Sequence, residues 1–95
     1  MGTGSQGRMY IRVRGRVQGV GYRYFVCSLA KRYSFTGWVG NRSDGSVELE
    51  VQGLGADATH FLEELRRGPP LGRVDQMDVD EREWRRDESG FRVIY

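Results

Sequence analysis

The sequence is short of the residues that most often carry chemistry. A single cysteine, Cys27, excludes an internal disulfide and a cysteine-built zinc cluster. A single histidine, His60, with no Asp or Glu at metal-ligand spacing, gives no reason to expect a metal site. No apolar run approaches the ~20 residues of a membrane span. The opening residues lack the charged-then-apolar pattern of an export signal. Internal repeats are absent. The expectation is an intracellular, cytoplasmic protein of one small domain with no membrane partner.

What is present starts with size and charge. Ninety-five residues, 38% of them apolar, support one modest core. Fifteen basic and thirteen acidic side chains give a net charge of +2, unevenly spread. Residues 1–53 carry eight basic and three acidic groups, whereas residues 54–95 carry seven and ten. An anionic ligand would therefore meet the first half.

Hydrophobic spacing supplies the elements. Residues 1–8, MGTGSQGR, have three glycines and no apolar anchor, so they read as a disordered leader or non-native remnant before a domain of residues 9–95. Met9, Ile11 and Val13 alternate with Tyr10, Arg12 and Arg14, as in a half-buried strand. Residues 15–21, GRVQGVG, hold three glycines and form a loop. Tyr22, Phe25, Val26, Leu29, Ala30 and Tyr33 then recur at helical spacing. Residues 35–41 read as a strand, Ser43-Asp44-Gly45 as a hairpin turn, and residues 46–52 as its return. On that return, Val47, Leu49 and Val51 point inward, and Glu48, Glu50 and Gln52 outward. Asp57 is an N-cap or first-turn acid for a second helix through Ala58, Phe61, Leu62 and Leu65, closed by Gly68 and stopped by Pro69 and Pro70. Residues 74–84 suit an exposed or bulged strand. Phe91, Val93 and Tyr95 share one face of a last short strand. The order β-α-β-β-α-β plus a terminal strand predicts an α+β, ferredoxin-like split βαβ sandwich. Its sheet is mainly antiparallel, with two helices on one face.

Two places in this plan could carry chemistry. Glycines in residues 15–21 let successive N–H groups turn into one concavity, and the following helix adds its own unpaired N–H groups and positive end. Arg23, in the first turn, can aim a planar fork at the same spot. The competing reading is a flexible connection followed by a surface arginine. Asn41, at the end of the next strand, is either a turn residue or an amide that orients water; it cannot take a proton. His60 reads as a partly exposed helix residue and Cys27 as packing.

The segments VRGRVQGVGYRYF (13–25) and GWVGNRSDGSVELEVQG (37–53) closely resemble the paired signatures of the acylphosphatase family. The likeness covers residues 9–95 and points to a small, free-standing member. It implies hydrolysis of an acyl phosphate to a carboxylate and inorganic phosphate, with no cofactor and no metal. By match, Arg23 would bind the phosphoryl group and Asn41 would position the attacking water. The amides of Val17, Gln18, Gly19, Val20, Gly21, Tyr22 and Arg23 would complete the cradle. Gly40 departs from the pattern, because the family more often has a larger polar or basic residue there. The implied partners are a small acyl phosphate and its product phosphate, with the protein monomeric and nucleic acid not engaged.

The chemistry fits the residues available. Phosphoryl transfer has a loose, charge-rich transition state, so positioning and charge stabilisation carry most of the catalysis. A carboxylate leaves without a general acid, whereas a monoester's alkoxide would call for an acid, a metal or a covalent nucleophile. Two rivals share the fold. An RNA-binding module would use the basic, tyrosine-containing half, but the sequence lacks the expected strand aromatics. A catalytically silent accessory domain would keep the fold without the activity, as such domains also open larger hydrogenase-maturation proteins.

Overall fold

A computed structural model describes residues 7–53 and 55–95. The opening alternation becomes strand β1, Arg8–Arg16, with Ile11 and Val13 wholly buried. Helix α1, Tyr22–Arg32, buries Tyr22, Val26, Leu29 and Ala30 along one stripe. Strands β2, Thr36–Asn41, and β3, Val47–Gln52, make the expected hairpin. A 3-10 turn at Gly55–Asp57 leads into helix α2, Ala58–Arg67, which turns Phe61 and Leu65 inward. Strands β4, Arg73–Arg82, and β5, Phe91–Val93, complete the chain. Each helix carries basic residues in its last turn, where they suit the negative end of the helix dipole.

The five strands lie in the order β4-β1-β3-β2-β5. Every pairing is antiparallel except β2 with β5. The β1–β4 register shifts between Arg14 and Gly15, leaving Asp75 as the extra residue of a bulge. Both helices cover one face of the sheet, the split βαβ plan expected from the element order. Phe35, Tyr33 and Phe61 form an aromatic junction beneath them, with Phe35 and Phe61 centroids 5.1 Å apart and edge-on. No helix among the described residues is long and apolar enough to cross a membrane.

Three expectations need correction. The assignment of residues 1–8 to a leader fails at Arg8, which opens β1 and is only 2% exposed; residues 1–6 lie outside the described residues. Glu48 and Gln52 do face away from the helices, but they are only 6% and 3% exposed, because other side chains and the β4–β5 connection cover them. Asp57 takes the N-cap position as expected, without making a side-chain capping bond. Strand β5 ends at Val93, and the Tyr95 ring lies against Gly40 and Trp38 on the face opposite Phe91. Alternation assigns a face; it does not reveal what later folds over it.

Candidate active site

The loop between β1 and α1 is pinned from both sides. Val17 is buried in the core and Val20 packs against it. Gln18 reaches across the surface, and its Nε2 donates to the carbonyl oxygens of Arg42 at 2.8 Å and Ser46 at 2.9 Å. Those carbonyls also belong to the β2–β3 turn, where Gly45 N–H donates to Arg42 O and Arg42 N–H donates to Ser46 O. The glycine-rich loop is thereby tied to the hairpin that carries Asn41. Asp44 steadies the same turn by accepting from the side chain and main chain of Ser46. Those bonds hold its carboxyl down at about 2.

Gly19 and Gly21 have φ of +75° and +81°, and a Cβ at either would meet nothing within 4 Å. Glycine is required there by the left-handed backbone, not by crowding. Gly21 caps α1, and the first helical bond runs from Phe25 N–H to Gly21 O at 3.0 Å. The amides of Tyr22, Arg23 and Tyr24 precede that ladder. No acidic side chain lies in the first turn, so the positive helix end is not neutralised locally. Tyr22 fixes the helix start from inside. Its hydroxyl donates to Leu65 O at 2.8 Å, and burial pushes its ionisation well above the ordinary tyrosine value.

Arg23 and Asn41 converge. Arg23 Nη1 donates to the main-chain oxygen of Tyr95 at 2.8 Å, and the Asn41 main-chain N–H donates to the same oxygen at 3.0 Å. The side-chain Oδ1 of Asn41 is buried and has no hydrogen-bond partner among the described residues. Arg23 forms no ion pair with Asp or Glu among the described residues, and its guanidinium is engaged by the Tyr95 oxygen. The region thus holds a guanidinium and helix-start amides that can face an anion, and the main chain of Asn41 meets the same oxygen as that guanidinium. Clefts lined by Arg8, Met9 and Ala58 and by side chains within residues 82–92 contain neither Arg23 nor Asn41.

A model of the acylphosphatase family matches residues 9–93. The chain belongs to the acylphosphatase family. An acylphosphatase of Geobacillus thermodenitrificans is 43% identical over 88 residues, covering 93% of this chain and 94% of the relative. The crystal structure of acylphosphatase from Bacillus subtilis superposes with a TM-score of 0.88 at 37% identity, covering 94% of this chain and 99% of that one. Full-length HypF, in a phosphate- and nucleotide-bound form, matches with a TM-score of 0.86 at 31% identity. That likeness covers all of this chain but 13% of HypF. The family is therefore secure for nearly the whole chain, and the same fold also occurs as a small part of a much longer protein.

His60 is exposed on α2. Cys27 is half-buried, with its thiol 3.6 Å from Phe91 O. No group of three His, Cys, Asp or Glu residues is arranged to hold a metal among the described residues. Two contributors escaped sequence reasoning. The Gln18 side chain ties loop to hairpin, and Tyr95 offers the oxygen on which Arg23 and Asn41 meet. Gln18 stood inside the signature, but its side-chain partners lie 24 and 28 residues away. A main-chain oxygen leaves no trace in residue type.

Proposed function

We propose that this acylphosphatase-family hydrolase binds the phosphoryl group of an acyl phosphate with Arg23 and the amides of residues 17–23, while Asn41 orients the attacking water. The observation that carries this reading is the convergence of Arg23 and Asn41 on one oxygen beside an open, acid-free helix start. Water adds to phosphorus as the P–O bond to the acyl group breaks. The products are a carboxylate and inorganic phosphate, and the water's protons pass to solvent or to product phosphate. The guanidinium and amides stabilise the charge gathering on the equatorial oxygens. Asn41 supplies direction and no proton transfer, because an amide is no base at neutral pH. A carboxylate leaving group makes a protein general acid unnecessary.

The substrate is a small acyl phosphate, and product phosphate competes for the same cradle. We assign the protein to the cytoplasm as a monomer with no nucleic-acid or membrane partner; its single cysteine suits a reducing compartment. The test is turnover of benzoyl phosphate by purified protein, with and without EDTA, beside a phosphate monoester. Hydrolysis of the acyl phosphate alone, unaffected by EDTA and abolished by Arg23→Ala, is expected. A protein inert towards benzoyl phosphate would instead support a catalytically silent domain of the same fold.

A further inference from the structure

The bond that gathers Arg23 and Asn41 depends on where Tyr95 sits, and that is decided on the other face of the sheet. The Tyr95 ring lies over Gly40, where a Cβ would come within 2.6 Å of two ring carbons. Gly40 keeps a backbone conformation open to any residue, so space for the ring is the reason for glycine. Trp38 flanks the ring from the same strand, with centroids 6.3 Å apart. The phenol donates to Glu48 Oε2. Just before it, Ile94 N–H donates to Val39 O at 2.9 Å and fixes the main chain on β2. The Glu48 carboxylate is itself held. Its Oε1 accepts from Tyr10 Oη at 2.7 Å and from Arg42 Nη1 at 3.0 Å. A continuous series of contacts therefore runs from Glu48, through the Tyr95 ring to its main-chain oxygen, and on to Arg23.

We propose that Glu48 and Gly40 are positioning residues for the reaction: they seat Tyr95, and the seated Tyr95 holds the Arg23 guanidinium in its binding orientation. The inference rests on the phosphate-binding role given to Arg23 above. An arginine side chain free to rotate loses conformational entropy when it grips a ligand, and one already held loses less. Tyr95 engages one of the five guanidinium N–H groups and leaves the rest of the fork available. A small substrate makes few contacts elsewhere, so a pre-set fork counts for much of its binding.

The test compares two hydroxyls on one carboxylate. Tyr95→Phe removes the hydroxyl on the line to Arg23, whereas Tyr10→Phe removes one that stops at Glu48. Both variants are assayed with benzoyl phosphate and with phosphate as inhibitor, beside wild type and Arg23→Ala. For Tyr95→Phe, KM and the phosphate inhibition constant are expected to rise about three- to tenfold. Tyr10→Phe should leave both within about twofold of wild type, even where its Tm falls as far. Gly40→Ala, which displaces the whole ring, should exceed Tyr95→Phe; if it does not fold, the phenylalanine pair still decides. Glu48→Gln, whose amide oxygen can still accept from the phenol, should bind phosphate better than Glu48→Ala. Equal effects in the two phenylalanine variants, or wild-type constants in Tyr95→Phe, would overturn the proposal. An active Arg23→Ala would overturn the site assignment instead, so the two failures are distinguishable.

Discussion

At the scale of single residues, Asn41 carries the sharpest prediction. Its main-chain N–H is committed to Tyr95, while its Oδ1 is buried without a hydrogen-bond partner among the described residues. A carboxamide in that position can hold and aim a ligand atom but cannot charge. Asn41→Ala should therefore lower kcat about a hundredfold or more, the scale expected for losing one well-placed polar group. Its phosphate inhibition constant should stay near wild type. Asn41→Asp adds a negative charge facing a dianion, so it should lose phosphate binding as well as turnover. Steady-state kinetics with phosphate inhibition separates the two, and a wild-type kcat in Asn41→Ala would remove the residue from the mechanism. His60→Ala should keep full activity, since His60 is exposed on α2. Arg23 and Asn41 were singled out because they stand in the two segments that resemble the acylphosphatase signatures; local spacing alone left a surface arginine and a turn asparagine open. The oxygen that joins them was not singled out, because any residue at position 95 has one.

At the scale of elements, the β1–α1 loop and the β2–β3 hairpin behave as one unit through Gln18. Glycine spacing revealed the loop, and the change of period at Tyr22 revealed the helix start. Neither pattern could show that the Gln18 side chain crosses to a turn more than twenty residues on. Gln18→Ala takes a donor from two turn carbonyls, and we expect a stability loss of about 1–3 kcal/mol with a raised KM. Urea unfolding and kinetics on the same sample check both. The other end of α1 is a matter of burial. Tyr22 stays un-ionised in the fold because burial raises its pKa, while the unfolded chain releases that proton near the ordinary tyrosine value. Its contribution is thus fully present below about pH 10 and falls as the pH rises further. Tyr22→Phe should be about 1 kcal/mol less stable at neutral pH through loss of the Leu65 bond. It should also lose less stability between pH 9 and 11 than wild type, roughly the window set by the tyrosine value.

At the scale of the whole molecule, the fold was readable because strand and helix periods differ and their order allows few arrangements. What escaped was the face of the sheet that no helix covers. The sequence there is charged and reads as solvated, yet Arg8 lies wholly inside it. Its guanidinium donates to Glu50 at 2.7 Å, to Gln52 at 3.0 Å and through two nitrogens to Glu88, with its side chain 0% exposed. Gln52 in turn exchanges hydrogen bonds with the main chain of Arg85, so polar side chains strap the β4–β5 connection across the sheet. Arg8 was assigned to the leader because its neighbours are glycine-rich and its partners lie 42 to 80 residues away. Arg8→Met would leave the Glu50 and Glu88 carboxylates without their shared cation, at a cost of about 3–5 kcal/mol. Acid should expose the same linkage. Burial pushes the Glu88 carboxyl up, but hydrogen bonds from Arg8 and Thr36 and the nearby Arg8 and Arg85 charges outweigh it and leave it below its ordinary value. The resulting stability is present above the ordinary carboxylate range and is lost as the pH falls through the lowered native value. Removing Arg8 removes the main source of that depression. Between about pH 5 and about pH 3, Arg8→Met should therefore start less stable and fall less steeply than wild type in urea unfolding. Parallel curves would mean that the buried guanidinium acts by packing alone.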